Sequence, residues 1–211
     1  LHLSIRRQRQ MCIRDRSPIT PAPRSWRSIW RAGMSTPRPY QPFWCEENIW
    51  HLAASDEVGP GERVVLLVTG ASGQVACWGQ RAAAAGVAML WDYHVVLAVR
   101  GPGDTVLWDL DSRHGCPLPL PLWLHETFPN NDRVRTLFQP RFQIISAQNY
   151  RRDFSSDRQH MRTANGAWQQ APPAWPLITG GAVTLADYRQ QAQHQGVGLT
   201  EVAQRLAPQP L

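Results

Sequence analysis

The chain has 211 residues, with 22 basic side chains, all of them Arg, against 16 acidic ones, a net charge of +6 and a mean hydropathy of −0.38. Eight of the arginines and one of the acids fall in residues 1–33, so the other 178 residues carry 14 basic and 15 acidic side chains and have no electrostatic footprint for following a phosphate backbone. No nucleic-acid partner is therefore expected for the body, and no membrane span either, because even the apolar stretch from Val87 to Val99 is interrupted by Asp92 and His94, well short of the roughly 18 residues required.

Residues 1–33 read as an Arg-rich leader, disordered or foreign to the native chain; they are acid-poor but lack the apolar segment of a secretory signal. Residues 34–211, beginning at Met34, are enough for one sizeable core and too few for two, so a single catalytic domain is expected. Cys12, Cys45, Cys77 and Cys116 form no CxxC pair. Such sparse cysteines suit a reducing compartment, and a monomer in the cytoplasm is expected.

Along the body, Pro37, Pro39 and Pro42 keep the approach extended. From Cys45 to Ala54 the spacing predicts a helix, with Cys45, Ile49, Leu52 and Ala53 on one face and Glu46 and Glu47 in the first turn, where the helix dipole favours acids. Arg63–Thr69 and Gln74–Trp78, separated by Gly70-Ala71-Ser72-Gly73, read as a hairpin. Val87–Val99 and Thr105–Leu110 read as a second strand pair around Arg100-Gly101-Pro102-Gly103, and Arg141–Ser146 as a further strand. Pro117, Pro119 and Pro121 make the intervening segment irregular, Gln148–Phe154 is expected to be a short helix, and Pro172–Pro176 a loop. Thr184 and Thr200 look like N-caps of two terminal helices. The order of elements gives an α+β domain, an antiparallel sheet packed against helices.

Three polar residues interrupt apolar or tightly patterned segments: Cys45, His94 and Asp109. A turn symmetric about Gly101-Pro102 sets His94 directly opposite Asp109, with Cβ atoms about 4.5–5.5 Å apart, close enough for an imidazole N–H to reach the carboxylate. Asp111 alternates with Asp109 and is expected on the other face. A His–Asp pair is the orienting half of a nucleophilic triad, and a thiol at a helix N-terminus beside an imidazolium has its pKa lowered, which favours a thiolate. A free cysteine on an apolar helix face is equally a core residue, and a strand histidine equally a structural one; spacing alone leaves both readings open. Nothing in the pattern asks for a metal or cofactor, since His114 and Cys116 are too sparse for a zinc site.

Trp44-Cys45-Glu46-Glu47-Asn48-Ile49-Trp50, Trp91-Asp92-Tyr93-His94-Val95-Val96 and Trp108-Asp109-Leu110-Asp111 resemble, in order and spacing, motifs of the protein N-terminal glutamine amidohydrolase family. Arg141-Phe142, the stretch from Phe154 to Met161, and Gly166-Ala167-Trp168 before Pro172-Pro173 resemble its later blocks, so the likeness runs from about Phe43 to about Gly198. It implies a papain- or transglutaminase-like cysteine hydrolase core with Cys45, His94 and Asp109 as its catalytic residues. The activity implied is deamidation of the side chain of an N-terminal Gln, giving Glu and ammonia, a step towards N-degron degradation. The partners implied are proteins or peptides that begin with Gln. The chain departs from the pattern in Trp44, where the family often has Tyr, and in Ser112-Arg113-His114-Gly115.

An enzyme selective for a chain terminus needs a carboxylate or carbonyls for the free α-ammonium group; Glu47 and Asp157 are the candidates, and Trp91 and Tyr93 are candidate walls for the Gln side chain. The Cys45 backbone N–H is a candidate oxyanion donor. Cys77 and Cys116 read as buried small hydrophobes, His51 as a solvated helix position, and His160 as a brace for the active-site loop.

Overall fold

The computed structural model describes residues 39–208; the expectations for residues 1–33, and Cys12, lie outside them. In chain order the elements are α1 (Cys45–Leu52), β1 (Glu62–Thr69), β2 (Val75–Cys77), β3 (Met89–Trp91), β4 (His94–Arg100), β5 (Thr105–Trp108), β6 (Leu118–Pro119), α2 (Leu120–Thr127), β7 (Arg141–Ser146), α3 (Ala147–Asp153), β8 (Phe154–Ser155), β9 (Val183–Thr184), α4 (Leu185–Gln195) and α5 (Leu199–Arg205), with short 3-10 turns between some of them. The central sheet has the order β6-β5-β4-β1-β7 and is antiparallel throughout. This bears out an antiparallel sheet packed against helices.

Both faces of the sheet are covered. Alternate residues of a strand point to opposite faces, and Val65, Leu67, Val95, Leu97 and Val99 pack with Cys45, Ile49, Leu52, Tyr150, Leu185 and Tyr188 from α1, α3 and α4. Val64, Leu66, Val68, Val96 and Ala98 pack on the other side with Leu120, Trp123, Val202 and Leu206. Burial on both faces is why β1 and β4 read as continuous apolar runs rather than alternating ones. No helix among the described residues is long and apolar enough to cross a membrane.

Several expectations are corrected. Residues 63–69 and 74–78 do not form a hairpin: β1 lies between β4 and β7, while β2 pairs with β3 in a separate two-stranded sheet. The turn that begins at Gly70 lies so close to the chain that a Cβ there would sit 2.1 Å from the Gln74 carbonyl oxygen, and it carries β2 off the sheet. The stretch 87–99 is two strands broken at Asp92-Tyr93, where the Thr69 hydroxyl donates to the Asp92 carbonyl at 2.7 Å. The β4–β5 loop is Gly101–Asp104, closed by the Gly101 N–H to the Asp104 carbonyl, so Arg100 faces Thr105 and Leu97 faces Trp108, two residues out of the expected register. Pro121 does not prevent α2, since a helix tolerates proline in its first turn. The last helix begins at Leu199 with Gly198 as N-cap, not at Thr200.

Thr184 does cap α4, accepting from the Asp187 N–H while Asp187 accepts from the Thr184 N–H at 2.8 Å. Through this helix Leu185, Tyr188 and Ala192 reach the core beneath α1. Thr184→Ala should cost about 1 kcal/mol, read as a lower urea midpoint with an unchanged slope.

Candidate active site

Three segments converge where the N-terminus of α1 meets the start of β4. The turn into α1 is fixed by Asn48, whose side chain accepts from the Gln41 N–H and donates to the Gln41 carbonyl, each at 2.8 Å. Phe43 is held at φ 70 in that turn, and Trp44 is the N-cap, its indole N–H donating to the Ala171 carbonyl. Cys45 is thereby placed at the first helical position, 8 % exposed, with the backbone N–H of Val95 hydrogen-bonded to its thiol.

His94, the residue before Val95, is 1 % exposed and its Nε2 lies 2.9 Å from Asp109 Oδ1. The expected contact is therefore present, but its geometric reason differs. Strand β5 ends at Trp108, and Asp109 lies where the chain bends, its Oδ1 accepting the Asp111 N–H at 3.1 Å. Strict alternation fails once the chain stops being extended, so Asp111 does not face away: its carboxylate, His94 and Asp109 offer ligand atoms that all lie within 4.8 Å of one another. Among the described residues this is the set that could hold a metal ion, although a cation there would compete with the proton shared by His94 and Asp109.

Asp109 is also held from the opposite face of the sheet. Its Oδ2 accepts from the Trp123 indole of α2 at 3.0 Å and from Gln80 Nε2 at 3.3 Å. Gln80 in turn accepts from the Trp91 indole at 3.3 Å, and the Trp91 ring stacks on the His94 imidazole with centroids 5.8 Å apart. Gln80 and Trp123 give no local sequence signal for this role; one is a lone glutamine and the other lies in a segment read as irregular.

The electrostatics follow from these partners. Burial alone opposes the His94 imidazolium, but the charge and hydrogen bond of Asp109, then Asp111, outweigh it and hold the imidazole above the usual histidine range. Burial also opposes the Asp109 carboxylate, yet His94 and the Trp123 and Gln80 donors keep it below the usual carboxylate range. Burial pushes the Cys45 thiol well up, and the charges of Glu46 and Asp111 push it further, against the Val95 N–H. The direction is opposite to the lowering expected from the helix terminus, because burial first, and the neighbouring carboxylates after it, oppose the charged form of the thiol.

The two acids after Cys45 are both fully buried and serve different purposes. Glu47 accepts from Ser156 and Arg158 Nε on Oε1, each at 2.8 Å, and from Arg158 at 2.7 Å and the Trp175 indole at 2.6 Å on Oε2. This carboxylate is saturated and pins residues 156–175 across the mouth of α1. Glu47 therefore has no free acceptor, and Asp157 is exposed with one oxygen engaged by the Gln159 N–H in its own turn. Glu46 Oε2 instead lies 3.8 Å from the Cys45 sulfur and accepts from the Tyr93 hydroxyl at 2.8 Å, while Oε1 has no hydrogen-bond partner. His160 Nε2 stands 3.3 Å from Oε1 but is engaged with the Tyr93 hydroxyl at 3.1 Å. Leaving a buried acceptor unmade costs about 1–3 kcal/mol. The signal that marks Glu46 in the sequence is its position beside the nucleophile candidate, a place otherwise explained by the helix dipole.

The remaining sequence readings divide. Cys77 is fully buried, whereas Cys116 is only half-buried at the edge of the core. His51 is half-buried rather than fully solvated: it packs edge-on against Trp175, and burial lowers its pKa. His160 does brace the segment over the site, through Tyr93 and an edge contact with Trp44.

A family model described as N-terminal glutamine amidase matches residues 40–207. Among curated relatives, the protein N-terminal glutamine amidohydrolase of Bos taurus is 31 % identical over 147 residues, 67 % of this chain and 71 % of the relative. The Homo sapiens protein of that name is also 31 % identical, covering 67 % and 72 %, and the Arabidopsis thaliana one is 31 % identical over 163 residues, covering 71 % and 73 %.

The saturated Glu47 carboxylate makes a definite prediction. Arg158→Ala strands a fully buried charge and should cost about 3–5 kcal/mol of stability. Pairing Arg158→Met with Glu47→Gln should recover part of that loss in denaturant unfolding, because the charge is removed along with its partner.

Proposed function

The chain belongs to the N-terminal glutamine amidase family, and from that premise we propose that it removes ammonia from the side chain of a glutamine at the N-terminus of a protein or peptide. Cys45, His94 and Asp109 carry the reaction, through a thioester on Cys45. The observation that supports this reading most directly is the buried 2.9 Å contact between His94 and Asp109, one residue before the N–H that meets the Cys45 thiol. A nucleophile at a helix N-terminus and a base at the start of a strand is the plan of papain- and transglutaminase-like hydrolases.

Asp109 occupies Nε2 of His94, so on this reading Nδ1 is the ring nitrogen that serves the thiol. Burial and its neighbours favour the neutral thiol, and neutral His94 accepts its proton as sulfur attacks the carboxamide carbon. The backbone N–H of Cys45, at the first helical position, is a donor for the developing oxyanion. When the tetrahedral intermediate collapses the C–N bond breaks, and the imidazolium gives its proton to the departing ammonia. Neutral His94 then draws a proton from water as it attacks the thioester; the C–S bond breaks and the proton returns to sulfur, leaving N-terminal glutamate. Asp109 fixes the tautomer throughout and stabilises the imidazolium without itself being protonated. Trp91 holds the imidazole plane by stacking, and Tyr93 borders the thiol beside Glu46. Cys45, Cys77 and Cys116 are free, which supports a reducing, cytoplasmic setting.

Ammonia release from a peptide beginning with Gln, beside its N-acetylated form and a peptide with internal Gln, tests the reaction. Only the first should react, and Cys45→Ala should lose turnover by several orders of magnitude while retaining binding; equal release from all three peptides would exclude terminal selectivity. The pH profile tests the base. Attack needs neutral His94, so the acid limb of kcat/KM should lie above about 6.5, the ordinary histidine value. The Asp109 carboxylate favours the imidazolium, so Asp109→Asn should move that limb to lower pH and reduce kcat by about 10³- to 10⁴-fold.

A further inference from the structure

A substrate that must begin the chain brings a positive charge into a site shut off from water, and such a charge needs a carboxylate that is not already spent. Four buried carboxylates lie near Cys45. Glu47 is saturated by Arg158, Ser156 and Trp175. Asp109 is taken up by His94, Trp123, Gln80 and the Asp111 N–H. Asp111 Oδ1 accepts from the Tyr40 hydroxyl at 2.6 Å and borders the imidazole. Glu46 differs from all three: it is 0 % exposed, its Oε1 has no hydrogen-bond partner, and no arginine of the described residues pairs with it.

We propose that Glu46 is the anchor of the substrate's α-ammonium group, received on Oε1 between the Cys45 sulfur and His160. The assignment rests on the amidohydrolase reading and names the group that would make that activity selective for a terminus. The distances close. The α-nitrogen of glutamine reaches at most about 5 Å from its own carboxamide carbon. That carbon must approach the attacking sulfur to about 3–3.5 Å, and an ammonium meets a carboxylate oxygen at about 2.7–2.9 Å. With Oε2 only 3.8 Å from the sulfur, one glutamine spans the thiol and the Glu46 carboxylate without stretching. The Tyr93 hydroxyl has one proton, which goes to Oε2, so His160 must donate its Nε2 hydrogen to that hydroxyl. Tyr93 and His160 thus hold the carboxylate by one oxygen and leave the other for the incoming cation. His160 is the partly exposed member of the group, with 18 % of its side chain open to solvent, and its Nε2 stands 3.3 Å from Oε1.

The test uses two peptides of the same sequence, one beginning with Gln and one in which the α-amine is replaced by hydrogen, a 4-carbamoylbutanoyl cap. Wild-type protein should favour the amine by about 100-fold in kcat/KM, the loss expected when a buried charge has no partner. In Glu46→Gln, which keeps the shape and the Tyr93 contact, that preference should fall to within a few-fold, chiefly through KM for the amine peptide. Cys45 should still be alkylated by iodoacetamide, and at lower pH than in wild type, because a negative charge beside the thiol is gone. If Glu46→Gln does not fold, Glu46→Asp should reduce the preference in the same direction. A preference unchanged in the folded variant, with both peptides slowed alike, overturns the assignment and leaves Glu46 as a positioning residue for Cys45. If wild type releases ammonia from neither peptide the amidohydrolase reading fails; binding of the two peptides to Cys45→Ala, with and without Glu46→Gln, then decides the Glu46 assignment by itself.

Discussion

The arrangement depends on a carboxylate placed where water cannot solvate it. Asp109 is 1 % exposed, and burying an ionised group is tolerable only when its lone pairs are met. The donors that meet them come from four places: His94 on β4, Trp123 on α2, Gln80 after β2, and the Asp111 N–H in the same bend. Each of these segments is therefore tied to the others through one charge. The helix α2 lies on the far face of the sheet from α1, so the orientation of His94 is fixed from behind by an element that does not share a face with Cys45. A packed core could hold a histidine in place, but it could not also commit Nε2 to a carboxylate and leave Nδ1 as the other ring nitrogen.

The start of α1 solves a second problem of charge. Consecutive acids in a first helical turn usually face water, where the dipole gives each a modest benefit. Here both are withdrawn from water, and the segment over the site divides them. Arg158 neutralises Glu47 with a two-pronged contact, its backbone at φ 58 turning the chain so that the guanidinium points inward while Asp157 stays outside. Two residues later His160 meets Tyr93 beside Glu46. One short turn thus spends one carboxylate on structure and keeps the other incompletely paired next to the sulfur.

Much of this was legible in the sequence, and what was not has a common physical cause. The apolar face of α1, the strands β1, β4 and β7 and the cap of α4 follow from local periodicity and side-chain chemistry, which act within a few residues. The pairing of His94 with Asp109 was foreseen through a register that is two residues out, because the rule of alternation was carried past Trp108, where the strand stops. The partners of the buried carboxylates were not foreseen: Gln80 is 29 residues from Asp109, and Arg158 is 111 from Glu47. A lone glutamine or arginine carries no mark of a distant charge that requires it. The ammonium candidates Glu47 and Asp157 were reached by the same local reasoning, which could not show that Arg158, Ser156 and Trp175 take up the Glu47 carboxylate or that Asp157 is exposed with one oxygen engaged in its own turn.

The field around Cys45 joins these features. In the free protein Glu46 and Asp111 add to burial in raising the thiol's pKa, which at first sight works against the nucleophile role proposed for it. A cation received on Glu46 would offset the stronger of those two influences at the moment the carboxamide reaches the sulfur, and so lower the cost of forming the thiolate. A glutamine within a chain brings no such charge and leaves the thiol as it was. On the proposed reading, terminal selectivity then has two sources, the contact itself, which dominates and appears in KM, and a smaller effect on the nucleophile, which appears in kcat. The net charge of +6 is not where this recognition lies; it is concentrated in residues 1–33, whereas the groups that would meet a cationic substrate are a few carboxylates beside one sulfur.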